Sequence, residues 1–191
     1  MSKYIVFVGT QSVGKSTTSK AAISFLEEFY GSPVHYVTEI GRKLHSQGHT
    51  INSQSTSTTQ RLIEAGYAEE EKKHADKILL ADRSVIDRLS YTLLSKAAED
   101  KDLVAWYEKN IVEMCSRYSH IFYIPLSDDV KLELDGVRSA DENFRKDIDS
   151  MQQAIINKYN IKVTKLNGST EQRLEQIKLA LVADIFPSTD N

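Results

Sequence analysis

Apolar positions along the 191-residue chain alternate between short continuous runs and longer stretches of helical period. Tyr4 to Val8 (YIVFV) is a nearly unbroken apolar run, the pattern of a strand buried on both faces. Residues 15–30 place Ala22, Phe25, Leu26 and Phe29 at helical spacing, and Gly31-Ser32-Pro33 ends that helix. Residues 34–37 read as a second strand and 40–47 as a helical stretch. The polar, Ser/Thr-rich residues 48–59 have no apolar period and read as a loop. A helix over 59–75, a third strand over 77–81 (KILLA) and helices over 84–97 and 102–118 follow. The last of these gathers Leu103, Trp106, Tyr107, Ile111, Met114, Cys115 and Tyr118 on one apolar face. Residues 120–124 (HIFYI) form a fourth strand, and a charged stretch over 127–141 separates it from a helix starting near Ala140. Ser139 and Glu142 have capping-box spacing there. A fifth strand spans 162–166, and Ser169 with Gln172 marks the start of a final helix to Ile185, followed by a frayed tail.

Strands alternating with helices predict a single α/β domain over residues 1–191, with a parallel sheet covered on both faces. Ligands on such sheets sit beyond the carboxyl ends of the strands. Three short peptides therefore converge: GTQSVGKS after the first strand, TEIGR after the second and ADR after the third.

The first has the spacing G-x-x-x-x-G-K-S, between a strand and a helix. Gly9 and Gly14 let successive backbone N–H groups point at phosphate oxygens. Lys15 supplies a cation to the outer phosphates, Ser16 offers a hydroxyl to Mg2+, and the helix adds its positive end. Gln11, Ser12, Val13 and Thr17 complete the expected ATP-binding segment, with Lys15 facing solvent in the empty loop. A G-x-G-x-x-G dinucleotide fingerprint is absent from this turn.

Glu39 and Asp82 end the second and third strands at the same rim, beside Arg42 and Arg83. A carboxylate there can hold the waters of Mg2+ or accept a proton, and a guanidinium matches phosphate or carboxylate bidentately. Gln60, opening the helix after the Ser/Thr loop, can pair with a base or carboxamide. Residues 128–145, DDVKLELDGVRSADENFR, carry Arg138 and Arg145 on a charged, turn-forming segment. That is the composition of a lid whose arginines arrive when the site closes.

Composition narrows the partners. Net charge is -3 and hydrophobic residues make up 40%, so no global basic field recruits nucleic acid, although a local groove is compatible with those numbers. No run approaches a membrane span, and the N-terminus enters a strand too soon for a signal peptide, so a cytoplasmic location is expected. The lone cysteine, Cys115, excludes an internal disulfide and reads as a core residue. His45 and His49 have a metal-compatible spacing, but Gly48 interrupts them and no third ligand is evident.

GTQSVGKST, TEIGRKL, ILLADRSVIDRLSY and DGVRSADENFRKDI together resemble P-loop kinases of the ribosylnicotinamide-kinase (NadR-type) family, often described as AAA or ATPase domains and related to thymidylate kinase. The resemblance runs from Tyr4 to about Leu181. It implies a three-layer P-loop NTPase fold with a five-stranded parallel sheet in the order 2-3-1-4-5. It also implies that Gly14, Lys15 and Ser16 bind ATP and Mg2+, and that Asp82 organises the metal or acts as base. Glu39, Arg42 and Arg83 would face the acceptor, and Arg138 and Arg145 would belong to the lid. The 191 residues hold no counterpart of the NadR adenylyltransferase domain, nor of the REPGG-like segment of thymidylate kinases.

The expected activity is ATP- and Mg2+-dependent transfer of the γ-phosphoryl group to a nucleoside or nucleotide-like small molecule, by a monomer or homodimer. Two other classes stay open at this point: a kinase acting on a modified base in DNA, and a regulatory P-loop ATPase without an acceptor.

Overall fold

A computed structural model describes residues 3–37, 40–127 and 141–185. In chain order the elements are β1 (Tyr4–Val8), α1 (Lys15–Tyr30), β2 (Val34–Val37), α2 (Ile40–Ser46), α3 (Ser57–Lys73), β3 (Ile78–Ala81), α4 (Val85–Leu93), α5 (Lys101–Ser116), β4 (His120–Tyr123), α6 (Glu142–Lys158), β5 (Thr164–Lys165) and α7 (Thr170–Ile185). Short 3-10 turns at Asn52–Gln54 and Lys96–Glu99 join them, the second standing where the apolar pattern extends a helix to residue 97. The five strands form one sheet in the order β2-β3-β1-β4-β5, and every pairing is parallel. This is the three-layer P-loop NTPase fold that the sequence predicts.

Alternation along β1 divides the core. Tyr4, Val6 and Val8 pack with Tyr67 of α3, Val85, Ile86 and Leu89 of α4, Leu103, Tyr107 and Ile111 of α5, and Ile155 of α6. Ile5 and Phe7 face the opposite way, against Ala22 and Leu26 of α1 and Ile177 and Leu181 of α7. With both faces covered, all five residues of β1 are buried, which is why the run carries no polar position.

Two details differ from the sequence reading. Trp106 lies at the edge of the apolar stripe of α5 and is 43% exposed, with its ring edge-on to Tyr107. Helix α6 is capped by Asp141, whose carboxylate accepts from the backbone N–H of Asn143 and Phe144. A carboxylate at this position answers two N–H groups of the first turn, so α6 begins at Glu142. The expected cap at Ser139 lies outside the described residues. At α7 the cap follows expectation, with Ser169 and Gln172 exchanging backbone-to-side-chain hydrogen bonds.

Candidate functional site

The loop between β1 and α1 is built by two positions that only glycine suits. Gly9 has φ +154°, and a Cβ there would sit 2.5 Å from the backbone oxygen of Ile124. Gly14, the N-cap of α1, is left-handed with φ 86°, and Arg173 of α7 reaches the space beside it. The Arg173 guanidinium donates to the Val13 carbonyl at 2.8 Å, tying the loop to the start of α7. Gly9→Ala is therefore expected to displace backbone rather than a movable side chain. We expect it to cost about 1–3 kcal/mol of stability and to weaken binding of an ATP analogue, read by thermal unfolding and calorimetry.

Lys15 does not face solvent as the sequence suggests. Its side chain is buried and Nζ donates to the carbonyls of Gly9 and Thr10, both at 2.6 Å. The physical reason is local: a tight loop turns carbonyls inward, and an ammonium within reach satisfies two of them.

Beside the loop, Ser16 Oγ donates to Asp82 Oδ2 at 2.7 Å. The helix N-terminus after β1 and the carboxyl end of β3 are thus joined through these side-chain oxygens. Tyr36 adds a neighbour that sequence reasoning missed. Its hydroxyl lies 2.8 Å from Ser19 Oγ, and burial together with the Asp82 charge pushes the phenol up to about 12, keeping it neutral.

Asp87 is the second missed residue. It is fully buried, and one oxygen accepts from Ser84 N (2.8 Å) and Ser84 Oγ (3.0 Å). The other oxygen accepts from Gly9 N at 3.4 Å and from Gln152 Nε2 at 3.1 Å. Burial raises its pKa, while the charges of Lys15 and Arg83 pull it back. The carboxylate thus fixes the start of the phosphate loop to α4. Its signal was present in the sequence, because Ser84 and Asp87 have capping-box spacing and form that box.

Arg145 departs furthest from expectation. It is 2% exposed in the first turns of α6, its Nε donates to the Gln11 carbonyl at 3.1 Å, and its own carbonyl accepts from Thr10 Oγ1 at 2.9 Å. It supports the phosphate loop from behind instead of arriving with a lid. Arg145→Ala should consequently weaken ATP binding and turnover together, each by about tenfold, near 1.4 kcal/mol, read from KM and kcat of ADP release. Arg138 and Glu39 lie outside the described residues.

The loop opens into a cavity of about 410 Å³. Gln11, Gly14, Lys15, Ser16 and Asp82 line it together with Arg42 of α2, Gln60, Ile63 and Tyr67 of α3, and Arg83 and Tyr91. Gln60 is buried and donates to Ser55 Oγ at 2.9 Å, while the Arg83 guanidinium lies 4.8 Å from the centre of the Tyr91 ring. Among the described residues five cations (Lys15, Lys20, Arg42, Arg83, Arg88) and two carboxylates (Asp82, Asp87) line it, a balance suited to a polyanion. The volume falls in the range of about 300–1,000 Å³ usual for small-molecule sites. His45 and His49 stay apart from it, and Cys115 is a core thiol that burial pushes up to about 12.

A glycine-built loop, an inward lysine and a Ser–Asp pair where α1 begins and β3 ends are the features of a P-loop protein. The chain belongs to the family described as AAA domain, whose profile matches residues 4–173. No curated protein matches it in sequence. The solved structures that share its fold include two of NadR proteins. A NadR protein in complex with NAD and AMP-PNP is 16% identical with a TM-score of 0.69, covering 100% of this chain and 51% of that one. A NadR protein in complex with NR is 16% identical with a TM-score of 0.70, covering 93% and 51%. The chain thus spans about half the length of these neighbours. Among the described residues no helix is long and apolar enough to cross a membrane.

Proposed function

We propose that the protein is an ATP- and Mg2+-dependent kinase that transfers the γ-phosphoryl group to a hydroxyl of a nucleoside or nucleotide-like small molecule, of ribosylnicotinamide or deoxynucleoside type. The observation that carries this reading is one cavity lined both by the phosphate loop and by amide, aromatic and guanidinium groups. A switch ATPase has no need of those further groups. The ligands of the two NadR structures, NAD and AMP-PNP in one and NR in the other, support a site for a nucleotide and a nucleoside-like molecule.

In this reading the triphosphate lies along residues 9–17, and Lys15 exchanges its two carbonyl partners for phosphate oxygens. Ser16 and Asp82 offer hard oxygen donors 2.7 Å apart, which fits Mg2+. When bound, the ion neutralises charge on the outer phosphates. Gln60, Tyr67 and Arg42 hold the acceptor, with Arg83 near its reacting hydroxyl. That oxygen attacks the γ-phosphorus as the bond to the β–γ bridging oxygen breaks, ADP leaves with the electron pair, and the proton passes to Asp82 or Glu39. Most of the acceleration comes from positioned positive charge on the transferring group.

The test is a panel of nucleosides, nucleotides and nicotinamide riboside, with release of ADP measured against ATP alone. One small acceptor is expected to stimulate release well above the basal rate. Stimulation only by DNA carrying a hydroxymethylated base would replace the small acceptor with a flipped base, which a pocket of this size can also enclose. Flat turnover with every acceptor would overturn the kinase reading.

A further inference from the structure

Away from the cavity, His35 of β2 meets Glu70 in the last turns of α3 and His74, the residue that caps α3. One ligand atom from each lies within 4.8 Å of the other two. The Nε2 atoms of both histidines converge on one oxygen, Glu70 Oε2, at 2.5 Å from His35 and 3.7 Å from His74. The two imidazoles stack face to face, with centroids 3.5 Å apart and 22° between planes. Glu70 and His74 are four residues apart, which brings them to one side of the helix, and the helix's negative end favours a cation there. None of the three lines the cavity.

The geometry points to a binding site for a divalent transition-metal cation of the Zn2+ class, held by His35, Glu70 and His74 with water in the remaining position. Two imidazoles and one carboxylate are a nitrogen-rich set that selects such ions over Mg2+. Tetrahedral Zn2+ at about 2.0–2.1 Å from each ligand sets ligand atoms about 3.4 Å apart. The His74–Glu70 separation of 3.7 Å is already close to this, and the 2.5 Å contact of His35 has to open as the stacked rings rotate apart. All three side chains are partly exposed, at 25%, 31% and 14%, which leaves them room for that rotation. Lys73 and Lys77 oppose the added charge, so the two nitrogen donors have to carry the affinity.

The consequence is mechanical. The ion would tie β2 to the end of α3, and α3 carries Gln60, Ile63 and Tyr67 of the cavity wall. This inference does not depend on the kinase reading.

The full chain, stripped with a chelator, is titrated with Zn2+ and with Co2+. Zn2+ binding is followed by competition with a chromogenic chelator and by thermal unfolding, and Co2+ geometry by its visible absorption. One Zn2+ per chain at low micromolar concentration or tighter, a raised unfolding temperature reversed by EDTA, and a low-symmetry four-coordinate Co2+ spectrum are expected. Mg2+ should produce no shift. H74Q and E70Q should each weaken Zn2+ at least tenfold, and H45Q should leave it unchanged. Absence of Zn2+ binding by the wild-type chain at tens of micromolar would overturn the site. Wild-type affinity in an H35Q/H74Q double variant would do so too, by showing adventitious metal elsewhere.

Discussion

Lys15→Ala is expected to lower nucleotide turnover by about a thousandfold, near 4 kcal/mol of transition-state stabilisation. The ammonium is the cation nearest the loop carbonyls, and substrate phosphates are expected to replace those carbonyls as its partners. Its burial adds a stability effect that a solvent-facing lysine would not have. Removing it strips the donor from the Gly9 and Thr10 carbonyls and one balancing charge from the buried Asp87. A stability loss of about 1–3 kcal/mol should therefore accompany the lost turnover. Circular dichroism and thermal unfolding measure the first effect and ADP release the second. A folded variant that turns over like the wild type would remove Lys15 from the site.

Asp82→Asn is expected to cost about a hundredfold to a thousandfold in kcat and to move the Mg2+ requirement to higher concentration. The amide is nearly isosteric and its oxygen can still accept from Ser16, so the 2.7 Å link and the fold should survive. What disappears is the negative charge, which in the proposed reading holds the ion and is one of two candidates to take the acceptor proton. A Mg2+ titration of ADP release separates the two uses. Excess Mg2+ restores kcat if metal binding dominates, whereas a loss persisting at saturation points to the proton. Unchanged kcat and Mg2+ dependence would eliminate both roles.

The sheet was legible because a strand buried on both faces has to be apolar throughout. YIVFV, KILLA and HIFYI announced themselves, and their alternation with helices gave the parallel arrangement. The phosphate loop was legible for a different reason: its glycines, lysine and serine act through local backbone geometry. Contacts between distant segments were not legible. Arg145 lies 134 positions from Gln11, and nothing in a charged stretch says that its last arginine folds under the loop. Lys15 turned inward because of carbonyls that only the folded loop creates. Asp87 was half visible, as the capping partner of Ser84, but its bond to Gly9 requires the fold. His35 and Glu70, on a strand and a helix 35 positions apart, share no spacing that a motif can capture.

The most direct measurement is the fate of the phosphoryl group. The chain, ATP and Mg2+ are incubated with the nucleoside that best stimulates ADP release, and the products are resolved by mass spectrometry and phosphorus NMR. Appearance of the monophosphorylated nucleoside in step with ADP, and its absence with Lys15→Ala, is the result the kinase assignment predicts. ADP formed together with inorganic phosphate alone, the nucleoside recovered unmodified, would contradict it.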